Sequence, residues 1–156
     1  MASFLIRPFR PTDLAGIFTA RSSAIRDICA RDYNPAQIAA WADNWDDPVK
    51  QLPRFSNSKT WVAEVRGLIV GFTNLVGDGY VDTLYVHGAH QGCGMASGLL
   101  QALEAAARVQ GLNRLHSEVS ITARPFFERR GFTVVTPQTV TSNGQQYLNF
   151  RMEKRL

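Results

Sequence analysis

The sequence predicts one α+β domain spanning 1–156, built on a mixed, mostly antiparallel central sheet of about seven strands flanked by helices. Three observations predict it. β-rich runs separated by tight-turn signals recur between residues 59 and 86 and again near the C-terminus, the pattern of an antiparallel meander. One long amphipathic helix pattern interrupts the strands after residue 94, and a helical crossover of that kind joins parallel neighbours. A chain of 156 residues with 45% hydrophobic content can bury one sizeable core, and no repeat, charge block or low-complexity linker divides it.

Each element has its own signal. Residues 4–8 read as the first strand, after which Thr12 is expected to cap a helix turning Leu14, Ile17, Phe18, Ile25 and Ile28 toward the sheet. Asn34 and Pro35 start a second helix with Ile38 and Trp41 inward, and a third, short helix follows Asp46-Asp47-Pro48. The runs 59–65 and 68–76 form a hairpin about Arg66-Gly67, and Gly77-Asp78-Gly79 turns the chain into 80–86, the central strand. Helix 95–110 presents Leu99, Leu100, Leu103, Ala106 and Ala107 to the sheet and stops at Gly111. A fifth strand at 115–119, a helix at 123–130 and strands at 132–135 and 146–152 complete the chain, with Asn143-Gly144 as the last turn.

Composition excludes several classes. No apolar run approaches the roughly 20 residues of a membrane span, and the N-terminus carries no apolar signal region, so a cytoplasmic protein without a membrane partner is expected. Cys29 and Cys93 lie far apart without metal-ligand spacing, which suggests neither a disulfide nor a zinc site. A net charge of +4 and a pI near 9.4 suit an anionic ligand. The basic residues are dispersed and lack interleaved aromatics, so no nucleic acid is expected; Arg108, Arg114, Arg124, Arg129 and Arg130 gather in the second half. His87 and His90 have no carboxylate or cysteine companions and read as loop histidines.

The most informative segment joins the central strand to the long helix: Gln91-Gly92-Cys93-Gly94-Met95-Ala96. Gly92 and Gly94 let the backbone take φ > 0 and approach a ligand, while the N–H groups of Gly94, Met95 and Ala96 start the helix unpaired. Those donors and the helix dipole favour an anion such as a phosphate. The alternative is a tight turn with no nucleotide. No G-x-G-x-x-G occurs.

The loop resembles the Gln/Arg-x-x-Gly-x-Gly/Ala pyrophosphate loop of the GNAT superfamily of N-acetyltransferases, which bind acetyl-CoA. A second segment, Ser120-x-x-Ala123-x-x-Phe126-Phe127-Glu128-Arg129-Arg130-Gly131-Phe132, is similar to that family's Asn-x-x-Ala-x-x-Phe-Tyr-x-x-x-Gly-Phe. The two stand in the family's order and separation, and the resemblance extends over most of the chain. It implies a GNAT-like sheet in which a bulged strand four splays from strand five, acetyl-CoA as co-substrate, no metal, and direct attack by a primary amine in a ternary complex.

Carried over by position, the resemblance assigns the donor site to Leu84, Tyr85, Val86, Gln91, Gly92, Cys93, Gly94, Met95, Ala96, Ser120, Phe127 and Arg130. The backbone of Leu84 and Val86 would pair with pantetheine, and the Val86 N–H would polarise the thioester carbonyl. The expected catalytic set is Asp82, Val86 and Tyr147. Period-two alternation places Asp82 on one strand face with Tyr80 and Leu84, where it would accept the amine's proton; Glu118, His116, Tyr147 or a water chain are the other acceptors, and a plain ion pair with an arginine is the structural alternative.

Three positions depart from the family pattern. Cys93 stands where relatives usually carry Arg or Lys, which predicts weaker donor binding. Ser120 replaces the usual Asn, and Phe127 replaces the Tyr that would protonate the leaving thiolate, leaving Tyr85, Tyr147, water or the amine to do so. Tyr33, Trp41, Trp45 and Phe55 read as core and groove wall; Asp43, Asp46 and Asp47 nearby would suit a cationic amine or simply form a solvated loop. The acceptor, a small-molecule or peptide amine, is open, as is a homodimer. The rival classes are a catalytically silent acyl-CoA sensor and a basic nucleic-acid-binding module.

Overall fold

The computed structural model describes residues 3–45 and 47–156. Asp46, weighed above as an acceptor-site group, lies outside the described residues. Strand β1 is Leu5–Pro8, and a 3-10 turn at Pro11–Asp13 leads into helix α1, Leu14–Ser23. Helices α2 (Pro35–Asp43) and α3 (Pro48–Ser56) precede strands β2 (Lys59–Val65), β3 (Leu68–Val76) and β4 (Tyr80–Val86). Helix α4 (Met95–Val109) crosses over to β5 (Arg114–Ser120), followed by α5 (Arg124–Arg129), β6 (Thr133–Ser142) and β7 (Gln145–Arg155).

The seven strands form one sheet in the order β1-β2-β3-β4-β5-β7-β6. Every neighbouring pair is antiparallel except β4–β5, which is parallel as the helical crossover dictates. Helix α4 covers one face: Leu99, Leu100, Leu103 and Ala107 are almost wholly buried, partly against Val81, Leu115, Phe132 and Met152. Each such leucine contributes about 1.5–3 kcal/mol. Helix α1 covers the other face, where Ile17 and Ala20 join Phe55, Val62 and Phe72.

The α2 start follows the local chemistry. Asn34 Oδ1 accepts from the Gln37 N–H and Gln37 Oε1 accepts from the Asn34 N–H, both at 2.8 Å, with Pro35 in the first turn. Asp47 caps α3 through the Val49 N–H at 3.0 Å. After α4, Leu112 donates to Ala107 and Gly111 to Arg108, each at 3.0 Å; this double closure requires the left-handed φ of +79° that Gly111 adopts.

Three expectations are corrected. Thr12 does not cap α1: it lies inside the 3-10 turn, and Asp13 is bound instead by the Arg7 guanidinium at 2.8 and 2.9 Å and by the Arg10 N–H at 2.7 Å. The α1 face is not continuous, because a widened π turn at Ala24–Ile28 shifts its phase; Ile25 and Cys29 are buried while Ile28 is half-buried. Strand β6 runs seven residues beyond the expected end at 135, since as the sheet's edge it tolerates Pro137 without losing a ladder partner.

Candidate active site

Strands β4 and β5 are in register at one pair only, Tyr80↔His116. Beyond it the Ser117 hydroxyl donates to the Val81 carbonyl at 2.7 Å, a side-chain bond standing where the ladder has ended. The strands then separate into a wedge of about 660 Å³ lined by both of them, by the loop before α4 and by α5. The π turn and Trp41 close its far side.

Antiparallel pairing alternates between residues that exchange hydrogen bonds with the neighbour and residues that do not. His87 donates to the Val70 carbonyl at 2.7 Å, which fixes the phase of the β3–β4 ladder that continues through Gly71↔Val86, Phe72↔Tyr85 and Thr73↔Leu84. Tyr85 therefore bonds to β3, while the N–H groups of Leu84 and Val86 point away from β3 into the wedge. Gln91 Nε2 donates to the Val86 carbonyl at 2.6 Å, tying the loop to the end of β4 and leaving the Val86 N–H free.

The second donor array is the start of α4. Gly94 has φ +84° and offers no capping side chain, and the first helical bond runs from Gly98 to Gly94 at 3.0 Å. The N–H groups of Met95, Ala96 and Ser97 thus have no helical acceptor and carry the positive end of a 15-residue helix dipole. Gly92 also adopts φ +73°, a left-handed conformation that other residues take only under strain. Arg130 donates from Nη2 to the Ser97 hydroxyl and lines the wedge beside Arg129. Neither arginine forms an ion pair among the described residues, whereas Arg108, Arg114 and Arg124 each pair with a glutamate.

Of the sequence-derived donor residues, Leu84, Tyr85, Val86, Gln91, Gly92, Gly94, Met95, Ala96, Ser120, Phe127 and Arg130 all line the wedge. Cys93 does not; its Sγ turns to the Gln91 carbonyl at 3.5 Å and its side chain packs on the α4–β2 cluster. Ser120 accepts from the Ala123 N–H at 3.0 Å and so starts α5. Phe127 is buried edge-on against Phe126 and Phe132, with ring centroids 5.7 and 5.0 Å away, and carries no proton to deliver.

Tyr147 is corrected outright. It is absent from the wedge, lies buried among Tyr33 and Trp41, and donates its hydroxyl to the Gln37 carbonyl at 2.8 Å. It braces β7 against α2. Tyr85 does reach the wedge; burial raises its hydroxyl pKa, opposed by the charge of Arg21, whose guanidinium sits 5.9 Å from the ring.

Asp82 lines the wedge and keeps the Tyr80 face that the alternation gave it, but it does not share that face with Leu84. The β3–β4 register steps from Asn74↔Thr83 to Leu75↔Val81, so Asp82 is the extra residue of a bulge. Its carboxylate shares a face with Asn74 and accepts from Arg54 Nε at 2.7 Å, Arg54 Nη2 at 2.8 Å and Asn74 Nδ2 at 2.9 Å, while Leu84 packs on the opposite face near α4. Burial pushes the carboxyl pKa up, and the bonds from Arg54 and Asn74 together with the Arg54 charge outweigh it, holding Asp82 below its ordinary value. Such a carboxylate is a weak proton acceptor. Burial, then the nearby charges of Glu118 and Asp82, push the Tyr80 hydroxyl up to about 12.

Glu118 faces the wedge from β5, exposed and without a hydrogen bond or ion pair among the described residues. His116 pairs with Asp78 at 3.3 Å and stacks on Tyr80. The rings of His87 and His90 lie 5.8 Å apart, and no group of three or more potential metal ligands comes together among the described residues. No described helix is long and apolar enough to cross a membrane. Sequence reasoning missed Arg54, Asn74, Thr83 and Ser117; only a polar residue in an otherwise buried strand marked the last three.

Comparison with known proteins places this geometry. The acetyltransferase (GNAT) domain family matches residues 29–154. An uncharacterized N-acetyltransferase of Escherichia coli K12, YafP, is 33% identical over 97% of this chain and 96% of its own length. A GCN5-related N-acetyltransferase structure from Rhodopseudomonas palustris superposes with a TM-score of 0.95 at 35% identity, covering 100% of this chain and 98% of that one. The PaiA N-acetyltransferase of Thermoplasma acidophilum, solved in complex with coenzyme A, shares the fold with a TM-score of 0.80 at 19% identity over 99% of both chains. The wedge between β4 and β5 is thus set in a chain that belongs to the GNAT family of N-acetyltransferases.

Proposed function

We propose that this protein transfers the acetyl group of acetyl-CoA to a primary amine by direct attack while both are bound. One observation carries the reading: the free N–H groups of Leu84 and Val86 and the uncapped start of α4 open onto the same wedge. They are two arrays of backbone donors, one suited to an amide and a carbonyl, the other to a pyrophosphate. Acetyl-CoA supplies an activated acyl group whose thiolate leaves near neutral pH. The Val86 N–H polarises its carbonyl, and removing such a donor elsewhere costs about 3 kcal/mol of barrier stabilisation. Arg129 and Arg130 balance phosphate charge at the wedge mouth.

The acceptor amine enters over the face carrying Tyr80, Asp82 and Glu118. Glu118 receives the amine's proton, because its oxygens are free while those of Asp82 are engaged by Arg54. Of the two tyrosines, Tyr85 lines the wedge and Tyr147 does not, so Tyr85 is the phenol that serves the departing thiolate. The first test is the thermal midpoint with and without acetyl-CoA: ligand at 100 times its dissociation constant adds about 2.7 kcal/mol. No rise overturns the donor site. A rise followed by turnover in an amine screen supports transfer; a rise without turnover of any amine supports the second reading, an acyl-CoA sensor, which Phe127 favours because it has no proton for the thiolate.

A further inference from the structure

We infer that Asn74 and Thr83 are positioning residues for this site: a buried side-chain clamp holds the one-residue bulge of β4, and the bulge aims the Leu84 and Val86 N–H groups into the wedge. The inference rests on the function proposed above.

The bulge sets the phase of everything after it. On β3, Val70, Phe72 and Asn74 direct their backbone groups at β4, as the His87-to-Val70 bond shows. Without the extra residue, the register entering from Leu75↔Val81 would continue so that Leu84 met Phe72 and Val86 met Val70. Both N–H groups would then be spent on β3, and their side chains would turn from α4 toward α1. One additional residue at Asp82 converts two ladder donors into two wedge donors. It also falls where β4 and β5 part, just beyond their single registered pair, Tyr80↔His116.

A bulge disrupts its ladder, so something else must satisfy the backbone and fix the count. Here side chains do. Thr83 donates to Asn74 Oδ1 at 2.5 Å, and Asn74 Nδ2 donates to Asp82 Oδ2 at 2.9 Å and to the Ser58 hydroxyl at 3.0 Å, so the amide spends both hydrogens and its oxygen. The Thr73 hydroxyl donates to the Thr83 carbonyl at 2.6 Å. Asn74 and Thr73 are 0% exposed and Thr83 is 5% exposed. Apolar β-branched residues would fill these positions at lower desolvation cost, whereas a fully bonded buried network admits one geometry. Asp82, bound to both Asn74 and Arg54, is the far anchor of this clamp.

The experiment uses the full chain and acetyl-CoA carrying carbon-13 at its carbonyl, with no acceptor needed. In the wild type the carbonyl resonance moves on binding because the Val86 N–H polarises it. Thr83→Val keeps the shape and removes the hydroxyl; it should lose that movement and raise the dissociation constant for CoA by no more than about tenfold, the loss of the pantetheine contact at Leu84 with the separate phosphate loop kept, while Thr83→Ser retains both. Asn74→Asp, which cannot donate to Asp82, should behave as Thr83→Val does if the latter fails to fold. Amide exchange supplies a second readout: protection at Tyr85 and His87 should weaken in the variants or pass to Leu84 and Val86. A carbonyl shift and a protection pattern both unchanged in Thr83→Val or Asn74→Asp overturn the clamp. Failure of the wild type to bind acetyl-CoA overturns the proposed function instead, and the clamp is then decided by the exchange pattern alone.

Discussion

Replacing Asp82 by Asn separates its two candidate roles, proton acceptor and structural anchor. The carboxylate takes two bonds from Arg54, at 2.7 and 2.8 Å, with the Asp82 side chain 13% and the Arg54 side chain 35% exposed. Breaking a fully buried pair costs about 3–5 kcal/mol and an exposed pair about 0.2–1. With Arg54 a third exposed, solvent screening sets this one at about 1.5–2.5 kcal/mol. In a chain of this size that lowers Tm by about 3–10 °C at pH 7. Because Arg54 and Asn74 hold the Asp82 pKa below its unfolded value of 3.8, the contribution is fully present above that value and fades as pH falls through the folded one. The gap between wild type and Asp82→Asn should therefore be open at pH 7 and close below about pH 4. Turnover should slow, since the bulge loses its far anchor, but the shape of kcat/KM between pH 6 and 9 should persist. Equal Tm at pH 7 refutes the anchor; loss of the acid limb from the rate profile shows that Asp82 takes the proton after all.

Other outcomes follow from the same geometry. Glu118→Gln should lower kcat about 100-fold with recovery at high pH, where the amine sheds its own proton, and a flat deficit from pH 6 to 10 would remove Glu118 from that role. Tyr147→Phe should cost about 1 kcal/mol by calorimetry, for the bond to Gln37, and leave kcat unchanged. In the native protein an aromatic disulfide reagent should titrate Cys93 quickly and Cys29 only after unfolding. Burial of Cys29 pushes its thiol up to about 11 and leaves it 7% exposed, so two fast thiols would contradict the structure.

What the sequence made legible was local. The Asn34–Gln37 capping box, the Arg66-Gly67 and Asn143-Gly144 turns with positive φ at all four residues, and the Gly111 helix end each rest on chemistry within a few residues. The side of the wedge proposed for the donor shared that property, because Gly92, Gly94 and the helix start are contiguous. The acceptor side did not. Asp82 meets Arg54 across 28 residues, and Tyr147 meets Gln37 across 110, pairings that no spacing announces. The family resemblance implied a bulge in β4 but not its position: strict alternation carries Asp82 to the Leu84 face, and one extra residue, uncounted there, reverses that assignment. Three small polar residues inside buried strands, Thr73, Asn74 and Thr83, were the local mark of where it falls.

Backbone donors also bear on the missing cation of the phosphate loop. From sequence, Cys93 in place of Arg or Lys predicts weak donor binding and predicts that Cys93→Arg tightens it. In the structure Cys93 points away from the wedge, into contact with the α4–β2 cluster, whereas Arg129 and Arg130 stand at the wedge without carboxylate partners among the described residues. On the proposed reading those two arginines supply the positive charge, while the N–H groups of Met95, Ala96 and Ser97 are unaffected by side-chain identity. Cys93→Arg should accordingly change the acetyl-CoA dissociation constant less than about threefold, while Arg130→Ala should raise it about tenfold at low salt and less at high salt, where screening weakens what was removed. Calorimetric titration of both variants at two ionic strengths decides the matter. Tenfold tightening by Cys93→Arg, or indifference to Arg130→Ala, would return the charge to the loop.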